Sequence, residues 1–373
     1  MLADCLSLKL LKPYLSSLSF FTVMILMLAV AREASASVYQ GFGATTPGGA
    51  QESVVHVTTL EDFGPGSLRE ALSNGNRTVV FDVGGTIALS GQILVKGAFI
   101  TIDGFTAPEP PGITLTGAGL MLSGDHDSHD VIVQGVRIRD VVGDGITIRD
   151  NTYNIVIDHV SIQKASDGSI DITQGAFDVT IQWSILAENA VDHNFLSLVD
   201  YQALRVTFHH NLFVRGQSRN PHSGWDPTLA TIPPDTVTDI RNNLIWDYLD
   251  YGTLIKNNTR ANVIQNFYYS ATQPGADQAL RVTPEGQVYA EANYSLNGAS
   301  IDKKGNEGTP FAAPVIDTTD ACTAALQVQA QAGVRPLDAI DQQYLSMITL
   351  PAMPCPEDKS KKDKKNKNKK NKK

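Results

Sequence analysis

Residues 154–221 decide the fold. They read NIVIDHVSIQKASDGSIDITQGAFDVTIQWSIL from Asn154 to Leu186 and, after a break, RVTFHHNLFVRGQSRNP from Arg205 to Pro221. Runs of one shape recur there: IVIDHV from Ile155, VTIQWS from Val179 and VTFHHN from Val206. Successive side chains of a strand point to opposite sides, so each run sends its first and third residues one way and its second and fourth the other. Four more runs flank these: ITIDGF from Ile100, VIVQGV from Val131, TDIRNN from Thr238 and ANVIQN from Ala261. Their starts are separated by 31, 24, 24, 27, 32 and 23 residues. Second short runs such as GITLTG, GITIRD and SIDITQG lie between them. A repeat of this length marks a solenoid. Short strands, turns and almost no helix predict a parallel β-helix, each strand pairing with its counterpart one coil away.

The last positions of the runs form a column: Phe105, Val136, Val160, Ser184, Asn211, Asn243 and Asn266. The asparagines predict a ladder of stacked amides at a bend, where asparagine tolerates the left-handed conformation. The solenoid is expected to end near Ser270. Beyond it, Ala321–Ala332 and RPLDAIDQQYLSMI read as two short helices that cap the open end of the coil. At the other end VVHVTTLEDFGPGSLREAL reads as a strand over Val54–Thr58, a Gly-Pro-Gly turn and a helix that Ser67 caps with Glu70.

The ends of the chain differ from this body. Lys9 and Lys12 precede an apolar run from Phe20 to Val30, and Ala34-Ser35-Ala36 fits a small-residue cleavage pattern. The run is too short to span a bilayer. Residues 1–36 are therefore expected to be a cleaved export signal, 37–355 the β-helix domain, and 356–373 a disordered lysine-rich tail. Cys322 and Cys355 then remain, either as buried thiols or joined in one disulfide. An exported chain favours the second.

Residues 359–373 hold ten lysines and one aspartate, which leaves 20 basic and 38 acidic side chains in the rest, a net of −18. Such a body repels phosphates, so nucleic acid is excluded as a partner. It also repels a polyanionic sugar unless a cation reverses the local field.

Three aspartates can do that. Asp144 lies in GDGITI, one coil before Asp167 and Asp171 of DGSID. Residues one coil apart are separated by about 4.8 Å along the axis. Converging carboxylates need a cation, and hard oxygen donors suit Ca²⁺. The alternative is that they are turn residues, since Asp-Gly favours turns. Arg219, in RNP, follows the third run on the side of the acidic residues, with Arg215, His193 and His222 near it in sequence as further cations. Of His209 and His210, one is expected to point into the coil and one outward. His159 reads as a hydrogen-bonded structural histidine beside Asp158.

These stretches resemble polysaccharide lyase family 1, the pectate lyases. The likeness is carried by VTTLEDFGPGSLREAL, VVFDVGGTIAL, ITIDGFTAPEPPGITLTGAGL, DVIVQGVRIRD, DGITIRDNTYNIVIDHVSI, DGSIDI, VTIQWSI, VTFHHNLF, RNP and NNLIW, in that order. AGVRPLDAID is similar to the family's C-terminal Asp-x-x-Asp segment. The resemblance implies a right-handed parallel β-helix and a calcium-assisted β-elimination on pectate by a secreted monomer. By motif position Asp144, Asp167 and Asp171 take the calcium-ligand places and Arg219 that of the base. Arginine holds its proton far into alkaline pH, so cationic neighbours and alkaline conditions are needed to free it. Arg215, His193 and His222 are the candidate substrate contacts.

Two departures stand out. Gly224 occupies the place of the family's second arginine, five residues after the base. The lysine expected before VTFHHN is absent, with His193 or Asn194 near its place. A hydrolase of the polygalacturonase type would show Asn-Thr-Asp, Asp-Asp, Gly-His-Gly and Arg-Ile-Lys elements, and the chain has none of them. A β-helix that binds polysaccharide without cleaving it, and a lyase for another uronan, stay open.

Overall fold

The computed structural model describes residues 38–50, 52–225, 232–271, 278–283, 285–302 and 307–351. The expected export signal and lysine tail lie outside them. The described chain is an all-β solenoid of about nine turns, every strand pair parallel. No described helix is long and apolar enough to cross a membrane.

Each coil contributes to three rows of strands. The back row holds ten strands, from Ser53–Val57 to Gln287–Glu291. Its inward positions stack in register as Val79, Ile102, Val133, Ile157, Ile181, Phe208, Ile240 and Val263. These are the alternate apolar residues of the sequence runs, and all are buried. A flank row follows the first bend: Ser161–Ala165, Ile185–Ala187, Leu212–Val214, Leu244–Trp246 and Phe267–Tyr269. The third row is built from Gly168–Ile172, Phe195–Val199, His222–Ser223, Tyr251–Ile255 and Gln278–Val282.

The asparagine ladder is present, with a different geometry. Asn211 Nδ2 donates to Asn243 Oδ1 at 3.0 Å, and Asn243 Nδ2 to Asn266 Oδ1 at 3.0 Å. Each side-chain oxygen also accepts the backbone N–H one coil earlier, as Asn243 Oδ1 does from Asn211 at 2.9 Å. The left-handed residue is the one before: Trp183, His210, Asn242 and Gln265 have φ of 48°, 56°, 52° and 54°. The bend is thus made by the preceding residue. The asparagine satisfies the backbone groups that the bend strips of strand partners.

Three further expectations change. The solenoid does not stop near Ser270 but continues through Gln278–Val282, Gln287–Glu291 and Ser300–Ile301. The C-terminal helices Ala321–Gln331 and Ala339–Ser346 do not plug its end. They pack on the outside of the flank row, where Ile185, Leu212, Leu244, Trp246 and Phe267 meet Cys322, Ala325, Val328 and Tyr344. Neither His209 nor His210 points into the coil. His209 is the residue after inward Phe208 and bonds Gln182, while His210, at the bend, stacks on Trp183 at 4.3 Å. Regular alternation ends where the left-handed residue begins.

Two buried arginines fix the second helix on its flank. Arg139 donates to Asp341 Oδ1 at 2.9 Å and Asp338 Oδ2 at 3.1 Å, and Arg137 donates to the Pro336 carbonyl just before the helix and lies 3.8 Å from Asp338 Oδ2. Asp338 also caps the helix by accepting the Asp341 N–H at 2.8 Å. Cys322 is buried and disulfide-bonded. Cys355, its expected partner, lies outside the described residues.

The back row is covered as well. Residues 39–50 run across its outward threonines: Gly43 N–H donates to Thr180 Oγ1 at 2.9 Å and Gly49 N–H to Thr101 Oγ1 at 2.9 Å. Glycine is required at 43, where a Cβ would lie 2.2 Å from the Ile155 carbonyl oxygen. Further along, Asn262 and Asn242 bond the backbone of Phe311 and Thr319. Chain therefore covers the back and the flank, and the third row carries the candidate site.

Candidate active site

The third row begins at a turn. Asp167 sits there, Asp171 four residues further on in Gly168–Ile172, and Asp144 one coil earlier inside the bent strand Arg137–Arg149. One carboxylate oxygen from each lies within 4.8 Å of the others. The sequence expectation that these three converge holds in the geometry. Asp144 Oδ1 accepts the Gly168 N–H at 2.8 Å and Oδ2 accepts Thr147 Oγ1–H at 2.8 Å. Asp171 Oδ1 accepts the Leu198 N–H at 3.2 Å. Asp167 is exposed.

Burial raises the Asp144 carboxyl above the ordinary aspartate range and Asp167 adds to it, against the hydrogen bonds and the charge of Arg219. Asp171 is raised further, by burial first and then by repulsion from Asp144, with Arg219 opposing. Two partly desolvated carboxyls beside a third are a costly arrangement without a cation. All donors are hard oxygens, so the set fits Ca²⁺.

Arg219 follows the flank strand Leu212–Val214 and has φ 60°. For a non-glycine residue that conformation is uncommon and costs of order 1 kcal/mol. Its carbonyl accepts the Ser197 N–H at 2.8 Å. Its guanidinium lies 4.4 Å over the ring of Phe195. Among the described residues it has no ion pair, and its charge acts on Asp144 and Asp171. Sequence reasoning missed Phe195. Its register with Gly168 in the next coil places it beside the cluster, and the other edge of its neighbourhood holds His193, whose ring meets it at 4.3 Å and 70°.

The remaining candidates divide. His193 Nε2 lies 2.9 Å from Asp167 Oδ1, but the ring is not aligned for a good hydrogen bond. His222 is outward in register two coils beyond Asp171, through Leu198. It is buried, and burial, then the charges of Lys256 and Arg219, push it down to about 3, so it is neutral. Neither ring nitrogen has a hydrogen-bond partner among the described residues. Arg215 is not brought to the cluster in the same way: its guanidinium is held by Glu188 at 2.8 Å and Asp247 at 3.5 Å, next to Tyr344 of the C-terminal helix. His159 is paired with Asp158 at 2.7 Å, as expected of a structural histidine.

The chain matches no family model. It is 31% identical over 336 residues to a probable pectate lyase C of Aspergillus flavus, covering 83% of this chain and 75% of that one. The structure is similar to jun a 1, the major allergen from cedar pollen, with a TM-score of 0.67 and 21% identity, over 80% of this chain and 93% of that one. It is also similar to a Bacillus sp. N165 pectate lyase in complex with trigalacturonate, with a TM-score of 0.59 and 19% identity, over 79% and 98%. With the parallel solenoid that carries them, these likenesses place the chain in the pectate lyase family, as a polysaccharide lyase.

Proposed function

We propose that this protein is a secreted, calcium-dependent lyase that cleaves pectate, a polyanionic galacturonan, by β-elimination. The reading rests on one observation: three carboxylates converge on the strand row that, among the described residues, neither the N-terminal segment nor the helices cover, beside an arginine with no ion pair among those residues. Asp144, Asp167 and Asp171 would hold the ion. Bound Ca²⁺ would offset the protein's negative field and make the C5 proton of a galacturonate more acidic.

Arg219, once alkaline solvent and the neighbouring bound cation have removed its own proton, then serves as the base in its neutral form. Its Nη atom takes the C5 proton, the C5–H electrons form a C4–C5 double bond, and the C4–O bond breaks with its electrons on the departing oxygen, which is protonated from water. Phe195 keeps the guanidinium over the reacting carbon. His222, neutral and with both ring nitrogens open, can donate to one sugar hydroxyl and accept from another. His193 screens the exposed Asp167. A single chain supplies all these residues, in keeping with action as a monomer. The disulfide at Cys322 supports an oxidising, extracytoplasmic destination.

The test is the appearance of C4–C5 unsaturated uronide from polygalacturonate, with and without a chelator. A saturated, water-added product would point to a hydrolase, and binding without product to a non-catalytic β-helix.

A further inference from the structure

The third row has a second outward column, one residue beyond Val199, Ser223 and Ile255: Asp200, Gly224 and Lys256. Strand pairing fixes its order, since the Gly224 N–H donates to the Val199 carbonyl at 2.8 Å and the Lys256 N–H to the Ser223 carbonyl at 2.9 Å. The middle position has no side chain. Lys256 therefore lies back across it, and its ammonium stands 3.6 Å from Asp200 Oδ2. A Cβ on Gly224 would sit 2.9 Å from Lys256 Cε and 2.8 Å from Asp200 Oδ2. The glycine is the gap into which the lysine folds.

That fold brings Lys256 close enough to His222 for its charge, with that of Arg219, to act on the ring. His222 is more than nine-tenths buried, and neither ring nitrogen has a partner among the described residues. An imidazole with no hydrogen-bond partner among the described residues, near two cations, fits a ligand with hydroxyls and a carboxylate. The pairing with Asp200 is long for a charge-assisted bond, and an ammonium has three donors. Lys256 thus keeps donors for an anion while Asp200 fixes its direction.

We infer that Lys256, laid over Gly224 and steered by Asp200, receives a carboxylate of the bound uronan next to Arg219, with His222 contacting the same sugar. The inference rests on the pectate reading above. It identifies a cation that the sequence hides, because Lys256 is 37 residues from Arg219.

The experiment titrates tetragalacturonate with Ca²⁺ into the full chain carrying Arg219→Ala, which stops turnover. Lys256→Met and Asp200→Asn are then added singly. Methionine keeps the aliphatic stem over Gly224, so folding is preserved, and thermal midpoints verify it. Lys256→Met should weaken binding about 10-fold to 100-fold, the size of one charge-assisted contact. Asp200→Asn should weaken binding by less than Lys256→Met does, because the ammonium remains but loses the carboxylate that fixes its direction; a purely structural ion pair would leave binding unchanged in both variants. If Lys256→Met binds as the parent does, the inference is overturned while the pectate reading stands. If the parent itself does not bind tetragalacturonate, the proposed substrate is wrong and the inference falls with it.

Discussion

The backbone N–H of Gly168 donates to Asp144 Oδ1 across 2.8 Å, tying two neighbouring coils together at the acidic cluster. Gly168 also lies under Asp171. A Cβ at this position would be 2.4 Å from Asp171 Oδ1 and 3.1 Å from Asp144 Oδ1. Gly168→Ala should therefore spread the carboxylates without breaking the coil. Calorimetric titration should show calcium affinity reduced about tenfold or more, the scale of a lost supporting contact at a metal site. An affinity equal to wild type would mean that the cluster is not the calcium site.

The same carboxylates set a pH rule. Asp144 and Asp171 are raised in the folded state. A raised carboxyl stabilises the fold while it is protonated, below its unfolded value, and that contribution is lost as pH rises through the folded value. Calcium should thus stabilise the protein much more at pH 8 than at pH 4, where protons compete for the ligands. At 100 times its dissociation constant the gain is about 2.7 kcal/mol. Asp171→Asn should remove the calcium response and raise the stability of the calcium-free protein at pH 8. Thermal melts with and without chelator measure both, and a calcium response retained by Asp171→Asn would contradict the assignment.

Asn243 is a rung of the amide ladder, donating to Phe208 O at 2.9 Å and accepting from Asn211. It is fully buried. Asn243→Ala leaves a backbone N–H and a carbonyl unsatisfied and opens a small void, at about 1–3 kcal/mol for each orphaned group. Urea unfolding should show a loss of at least about 2 kcal/mol. A loss below about 0.5 kcal/mol would reduce the ladder to decoration.

His210 is buried against Trp183 and held down to about 4 by burial, with Asp317 pulling the other way. A histidine lowered in this way supports the fold above its ordinary value of 6.5, and that support is lost as pH falls from there to about 4. The loss is worth about 3 kcal/mol. His210→Asn suits the left-handed backbone and does not titrate. It should lower stability at pH 7 but flatten the decline between pH 6.5 and 4. An unchanged decline would assign the acid sensitivity elsewhere, with His209 the next candidate.

The coil was legible because its inward positions are regular. Ile155 and Ile157, Val179 and Ile181, and Val206 and Phe208 differ only in size. The last coil was missed because QVYAE at Gln287–Glu291 carries a weak apolar signal, with Ala290 at its inward position. The placement of the helices could have been read. ILA, LFV and LIW are apolar at every position, the mark of strands covered on both faces. At the site, Asp144, Asp167 and Asp171 were legible because a coil separates the first from the others. Phe195 and Lys256 were not. Phe195 reaches the site through register with Gly168 and Lys256 by following Ile255, the partner of Ser223, and insertions of different length hide that register in the sequence.

The central claim is tested by absorbance at the wavelength of unsaturated uronate, with polygalacturonate and Ca²⁺ at alkaline pH. The wild type should give a steady rise that chelator abolishes and added Ca²⁺ restores. Arg219→Ala should lower the rate at least about 100-fold, as expected for loss of a general base. A rise that survives chelator, or an Arg219→Ala protein with wild-type rate, would contradict the account.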